Sequence, residues 1–181
     1  MHIHLIRHGR PACLPQPALS RNEYARWLIS YDAMGIMDQP PASLLDWLRT
    51  AKIGNLISSS LPRAIQSADA VAPGRAKSDP LFNEAAIAIP SVPFRMHSTA
   101  WTSVGRILWL LGRTTGENFI DFRFRAQAAT DALMASAAVA NTVLVGHGWM
   151  NRIIGKELRR RGFSLQQQVR HGYWSRTSFT R

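Results

Sequence analysis

The chain has 181 residues, of which 46% are hydrophobic, which suits one compact core, is too short to expect two domains, and excludes disorder. Lys and Arg number 22 against 11 acids, a net charge of +11 that favours anionic partners such as phosphate esters, nucleic acid or acidic lipid. A single cysteine, Cys13, excludes an internal disulfide framework and fits a reducing cytosol, while the apolar stretches Ile107–Leu111 and Ala126–Ala140 are too short or too broken to span a membrane.

His2–Ile6 alternates polar and apolar residues and stops at Arg7-His8-Gly9, the pattern of a strand running into a tight turn; Arg7 also interrupts any signal-peptide core. Pro11, Pro15 and Pro17 predict an extended loop. Ser20-Arg21-Asn22-Glu23 has the form of a capping box opening a helix with Tyr24, Trp27, Leu28 and Tyr31 on one face. Ser43-Leu44-Leu45-Asp46 predicts a shorter helix with a related cap. Asn55–Ser59 reads as a strand, and Leu61-Pro62 begins a helix through Ala64, Ile65 and Ala68. A further strand is predicted around Ala76–Phe82, and Pro90 and Pro93 make Ile87–Phe94 irregular. Helices follow over about Ser98–Leu111 and Asn118–Ala138, then a short buried strand at Thr142–Val145, a helix over Trp149–Arg161 and a last strand at Tyr173–Thr180. Strands alternating with helices, with no repeat or linker, predict one α/β domain across residues 1–181.

Two strand ends carry the chemistry: Ile3–Ile6 runs into Arg7-His8-Gly9, and Val143–Val145 into Gly146-His147-Gly148. Ligands of open α/β sheets sit at the carboxyl ends of strands, and glycines there let backbone and substrate approach closely. A third strand end, Ser58-Ser59-Ser60-Leu61-Pro62-Arg63, delivers Arg63 on the first turn of a helix. Two arginines and two histidines meeting at one rim make a phosphate pocket, because guanidinium groups hold phosphoryl oxygens in a forked geometry and stay charged at any working pH.

At these positions the sequence resembles the histidine phosphatase superfamily, also called phosphoglycerate-mutase-like. The resemblance rests on Leu5-Ile6-Arg7-His8-Gly9, on Ser58 through Ala68, and on Val145-Gly146-His147-Gly148, three pieces in order across most of the chain. It implies a three-layer α/β/α sandwich with a mainly parallel sheet. It implies that His8 is a nucleophile forming a phosphohistidine, that Arg7, Arg63 and His147 hold the phosphoryl oxygens, and that no metal or other cofactor takes part. Gly148 after His147 excludes the branch with an acid there, so Glu84 in Leu81-Phe82-Asn83-Glu84 is expected to protonate the leaving group, with Asp79 the next candidate. Pro11 and the Cys13–Leu14 region stand where many members carry hydroxyl and amide residues, so part of the usual phosphate lining is absent.

The expected activity is hydrolysis of a phosphate monoester, the substrate being a small molecule or a phosphorylated protein. A mutase is the alternative within this chemistry, disfavoured because little chain lies between Glu84 and Ser98 for a lid. A polyanion-binding module is the rival: Arg152–Arg181 holds Glu157 as its single acid among many cations. The Arg159–Arg161 run reads more simply as a solvated helix face, and nucleic acid is disfavoured rather than excluded.

Other patterns carry less. His2 and His4 share a strand face without further ligands for a metal, and His97 and His171 have no partner pattern. A cysteine-phosphatase loop at Cys13 needs an arginine six positions on, where Leu19 stands. Gly155-Lys156 has Glu157 in place of the hydroxyl of a phosphate loop, and Gly146-His147-Gly148 lacks the third glycine of a dinucleotide fingerprint, Asn151 standing there. Trp27, Trp47, Trp101 and Trp109 are expected in core packing.

Overall fold

A computed structural model describes residues 1–114, 116–169 and 172–181. Along the chain run β1 (His2–Arg7), α1 (Arg21–Ala33), α2 (Ala42–Thr50), β2 (Asn55–Ser59), α3 (Pro62–Val71), β3 (Lys77–Asp79), α4 (Ser98–Leu110), α5 (Phe119–Val139), β4 (Thr142–Gly146), α6 (Gly148–Arg160), β5 (Ser164–Val169) and β6 (Arg176–Thr180). The strands form one sheet in the order β3-β2-β4-β1-β6-β5. Its first four strands are mutually parallel, whereas β6 and β5 run antiparallel.

Side-chain alternation along the central strands produces the layers. Ile3 and Leu5 of β1 and Leu144 of β4 join a core with Phe122, Ala126, Ala129 and Leu133 of α5 and Met150, Ile154 and Leu158 of α6. Ile6, Val143 and Val145, one residue out of phase, join Leu44 of α2, Leu56 of β2 and Ala68 of α3 on the opposite face. This is the three-layer α/β/α sandwich with a largely parallel sheet. Gly155 lets α6 lie against β6, since a Cβ there would come within 3.0 Å of the Phe179 ring. Among the described residues no helix is long and apolar enough to cross a membrane.

Four points depart from expectation. The strand expected at Ala76–Phe82 is confined to Lys77–Asp79, because the Asp79 carboxylate accepts the N–H of Leu81 at 2.8 Å and Pro80–Phe82 turn into a short 3₁₀ helix. The helix near Ser43 begins at Ala42 after Pro41, and no side chain caps it. β5 was not anticipated: Ser164–Val169 has no apolar alternation, and nearly all of it is exposed at the sheet edge. The last strand begins at Arg176, the turn before it holding Trp174 at φ 57°.

The capping box at Ser20 is present, Glu23 accepting the Ser20 N–H at 2.7 Å while the Ser20 hydroxyl accepts from Glu23 N at 3.4 Å. Trp101 and Trp109 are fully buried; Trp27 and Trp47 are half-buried. His4 is buried against Trp47 and bonds Ser178 Oγ at 2.9 Å, and His97 caps α4. The basic run of α6 is partly tied down internally, with Arg161 paired to Asp131 and Glu157, whereas Arg159 is exposed. His171 and Arg170 lie outside the described residues.

Candidate active site

Register brings the two histidines together. Arg7 of β1 pairs with Gly146 of β4, so the next residues, His8 and His147, leave adjacent strands side by side with ring centroids 4.9 Å apart. The His8 amide donates to Gly146 O at 3.0 Å, and Arg7 is fastened by its N–H to Ser175 O at 2.9 Å. Gly9 is required by packing: a Cβ would fall 2.6 Å from both Asp38 Oδ1 and the Trp174 ring.

The His8 ring has one nitrogen committed. Nδ1 lies 2.7 Å from the Gly9 carbonyl, which only accepts, so Nδ1 carries the hydrogen and Nε2 keeps its lone pair. Burial lowers the His8 pKa to about 3; the Gly9 bond opposes this, and the Arg63 and Arg7 charges add to it. The ring is therefore neutral near pH 7.

His147 is fully buried, with Nε2 2.7 Å from Ser59 Oγ and no partner for Nδ1 among the described residues. Burial, then the nearby His8, Arg63, Arg7 and Arg125, hold it well below the ordinary imidazole range. Ser59 Oγ in turn lies 2.7 Å from Asn83 Oδ1, which also takes the Ser60 N–H at 2.9 Å.

Arg63 comes from the first turn of α3, preceded by Leu61-Pro62 as the sequence indicated. Its side chain is 3% exposed, donates to Asp32 at 3.1 Å and stacks on Tyr31 at 4.7 Å. Arg7 stacks on Tyr173 at 4.5 Å. The Nε atoms of both arginines are buried with no partner among the described residues, which leaves donors for an anion.

Glu84 follows the short turn after β3 and meets the amino end of α6. Its carboxylate accepts Trp149 N–H at 3.0 Å and Met150 N–H at 3.2 Å. A Cβ placed on Gly148 would lie 3.7 Å from Arg7 Cζ and 3.9 Å from Glu84 Oε2, so this glycine stands between the two side chains. Asp79, by contrast, is exposed, caps the 3₁₀ turn and does not line the cavity.

Arg7, His8, Arg63, Glu84 and His147 all line one cavity of about 570 Å³. Its further wall holds Leu28, Tyr31, Thr102, Arg106, Trp149 and Arg152. None of these last six had been singled out as a site residue. Arg106 reaches the Ala86 carbonyl at 3.2 Å and Arg152 covers the Trp149 ring at 5.6 Å, so two more cations line the cavity. Ser59 and Asn83 were visible only as members of short motifs. No three His, Cys, Asp or Glu side chains among the described residues cluster as metal ligands.

Residues 41–181 match the histidine phosphatase superfamily (branch 1), a stretch that includes Arg63, Glu84 and His147. No curated protein sequence matches the chain. Similar solved structures include a mycobacterial hydrolase, 16% identical with TM-score 0.64, covering 98% of this chain and 87% of that one. A mycobacterial glucosyl-3-phosphoglycerate phosphatase is 16% identical with TM-score 0.61, over 88% of this chain and 79% of the other. A phosphoserine phosphatase from Entamoeba histolytica is 15% identical with TM-score 0.59, over 99% and 90%.

Proposed function

The chain belongs to the histidine phosphatase superfamily, branch 1, and from that premise we propose that it is a phosphomonoesterase passing a phosphoryl group from a small ester to His8 and then to water, with residues 1–181 acting as one catalytic domain. The observation that carries this reading is the state of His8. It is a neutral ring whose Nδ1–H is held by Gly9 O, leaving Nε2 as a nucleophile in a cavity shared with Arg7, Arg63 and His147.

In the first step the Nε2 lone pair attacks phosphorus in line with the ester oxygen, and the P–O bond breaks as the N–P bond forms. Arg7 and Arg63 stabilise the charge on the equatorial oxygens, and His147 takes up one of them. Glu84 gives its proton to the departing alkoxide. In the second step Glu84 takes a proton from water, whose oxygen attacks phosphorus and releases His8. Fixed guanidinium charges supply the electrostatics, so the reaction needs no metal.

A cavity of about 570 Å³ is of small-molecule size. Glucosyl-3-phosphoglycerate and phosphoserine, on which two proteins of similar fold act, are phosphorylated acids. The extra cations Arg106 and Arg152 suit a substrate of that class better than a neutral alcohol phosphate. The test is a rapid quench with radiolabelled substrate. An acid-labile, base-stable phosphoenzyme is expected in the wild type and neither adduct nor turnover in His8→Ala; substantial turnover in that variant rules the reading out.

A further inference from the structure

Asn83 Oδ1 receives the backbone N–H of Ser60 at 2.9 Å. A backbone N–H only donates, so the atom facing it is the amide oxygen, and the orientation of the Asn83 side chain follows. That oxygen can only accept, hence Ser59 spends its one hydroxyl hydrogen on Asn83 Oδ1 at 2.7 Å. Ser59 Oγ is then an acceptor for its remaining neighbours. One is Leu61 N–H at 3.1 Å; the other is His147 Nε2 at 2.7 Å, which must therefore carry a hydrogen. A neutral His147 has no second hydrogen, so its Nδ1 is a bare lone pair, buried and without a partner among the described residues.

A phosphoryl oxygen is also an acceptor and makes no hydrogen bond to a bare nitrogen. We propose that Ser59 and Asn83 are positioning residues that fix which nitrogen of His147 carries its hydrogen, so that His147 holds a phosphoryl oxygen only when Nδ1 has gained a proton. The inference rests on the phosphatase reading of the site. A dianionic ester thus enters with one proton, placed between Nδ1 and a phosphoryl oxygen, and that proton departs with the phosphate product. The groups around His147 set its response: His8 just after β1, Arg63 from α3, Arg7 from β1 and Arg125 from α5, with Glu84 lining the same cavity. Burial, and after it the neighbouring cations, keep the ring neutral in the free protein, and the arriving phosphoryl charge opposes them.

The test uses full-length protein labelled with ¹⁵N-histidine, with His147 assigned by comparison with His147→Gln. Near neutral pH the free protein is expected to show the hydrogen on Nε2 and none on Nδ1. Saturating inorganic phosphate at about pH 8, where phosphate is chiefly dianionic, is expected to add the second. A hydrogen on Nδ1 in the free protein overturns the assignment to Ser59 and Asn83. A ring that stays singly protonated while phosphate shifts the His8 signals overturns the proton linkage. Phosphate that moves neither histidine overturns the linkage as well, and if no phosphoenzyme forms either, the phosphatase reading falls with it. The kinetic arm follows kcat/KM for an aryl phosphate. The wild type is expected to fall about tenfold per pH unit above the second phosphate pKa near 6. Ser59→Ala, whose ring can place its hydrogen on Nδ1, is expected to fall less steeply, and Ser59→Thr to restore the wild-type slope. An equal loss at every pH means a purely structural role and overturns the proposal; if Ser59→Ala does not fold, the wild-type spectra decide alone.

Discussion

Asp32 and Arg63 form an ion pair at 3.1 Å in which the arginine side chain is 3% exposed and the aspartate 58% exposed. The carboxylate lies at the rim and the guanidinium inside, so α1 orients Arg63 without neutralising it in a dry interior. That geometry leaves Arg63 available to an anion, and it frames the first expectation.

Vanadate, which mimics the five-coordinate phosphorus of the transition state, is expected to compete with substrate in a pocket built from Arg7, Arg63 and His147. Chelators are expected to leave the rate unchanged. Steady-state rates in the presence of EDTA check this, and a loss restored by a divalent ion would assign the charge stabilisation to a metal.

Glu84→Gln is expected to cost a factor of about 10²–10⁴ in single-turnover rate with an alkyl phosphate, the usual worth of a general acid. With an activated aryl phosphate the first step should be largely spared and the phosphoenzyme should accumulate, since the second step still lacks its base. An equal loss with both esters would remove Glu84 from this role. Asp79 is no substitute, because its carboxylate is engaged with Leu81 N–H outside the cavity.

Acid should destabilise the fold before its carboxylates titrate. His4 is lowered to about 4 by burial and then Arg176 and His2, and His8 to about 3 by burial chiefly. Both are neutral in the fold and ordinary, near 6.5, once unfolded. Between these values the unfolded chain binds more protons, so stability rises with pH there and is lost as pH falls from about 6.5. Each such histidine contributes a slope of about 1.4 kcal/mol per pH unit. Urea unfolding at about pH 5 to 6.5, a window above most carboxylates, measures it, and His4→Asn should flatten the profile; a flat wild-type profile would contradict the neutral histidines.

Arg125 holds the segment that leads into Glu84. Its guanidinium donates to Leu81 O at 3.0 Å and Asn83 O at 2.7 Å while bridging both Glu117 oxygens at 2.7 and 2.6 Å. Arg125→Met is expected to cost about 2–3 kcal/mol, the scale for hydrogen bonds to charged groups, and to lower kcat with aryl and alkyl esters alike by loosening Asn83 and Glu84. Denaturant midpoints and kcat together check it; an unchanged kcat would show the segment needs no such clamp.

The parts of the site that sequence made legible are those where chemistry and local structure coincide. His8 and His147 each follow a strand and stand beside glycine, and Arg63 follows a proline at a helix start, so their position at the cavity is written within a few residues. Ser59 and Asn83 lay inside short stretches singled out for other reasons, yet their bond spans 24 positions and follows from how β2 meets the turn after β3. Arg106 shares α4 with the buried Trp101 and Trp109, and periodicity alone says nothing of which solvent-side residue overlooks a cavity. β5 escaped because an edge strand with Gln166, Gln167 and Gln168 buries almost nothing, and alternation is a signature of burial. Asp79, the next candidate for the acid, stands where Pro80 and the Asp79–Leu81 bond end the strand, outside the cavity.

The central position of β1 governs the order of assembly. Both of its neighbours, β4 at Thr142–Gly146 and β6 at Arg176–Thr180, come from the far end of the sequence. As the ribosome extends the chain, Ile3, Leu5 and Ile6 have no strand to pair with until those segments have emerged, and closing so long a loop is slow. During synthesis His2–Arg7 is an unpaired apolar edge, open to the wrong partner at high expression. A holding chaperone, or fewer chains made at once, should therefore raise the yield of folded protein by keeping that edge from a wrong partner until β4 and β6 emerge.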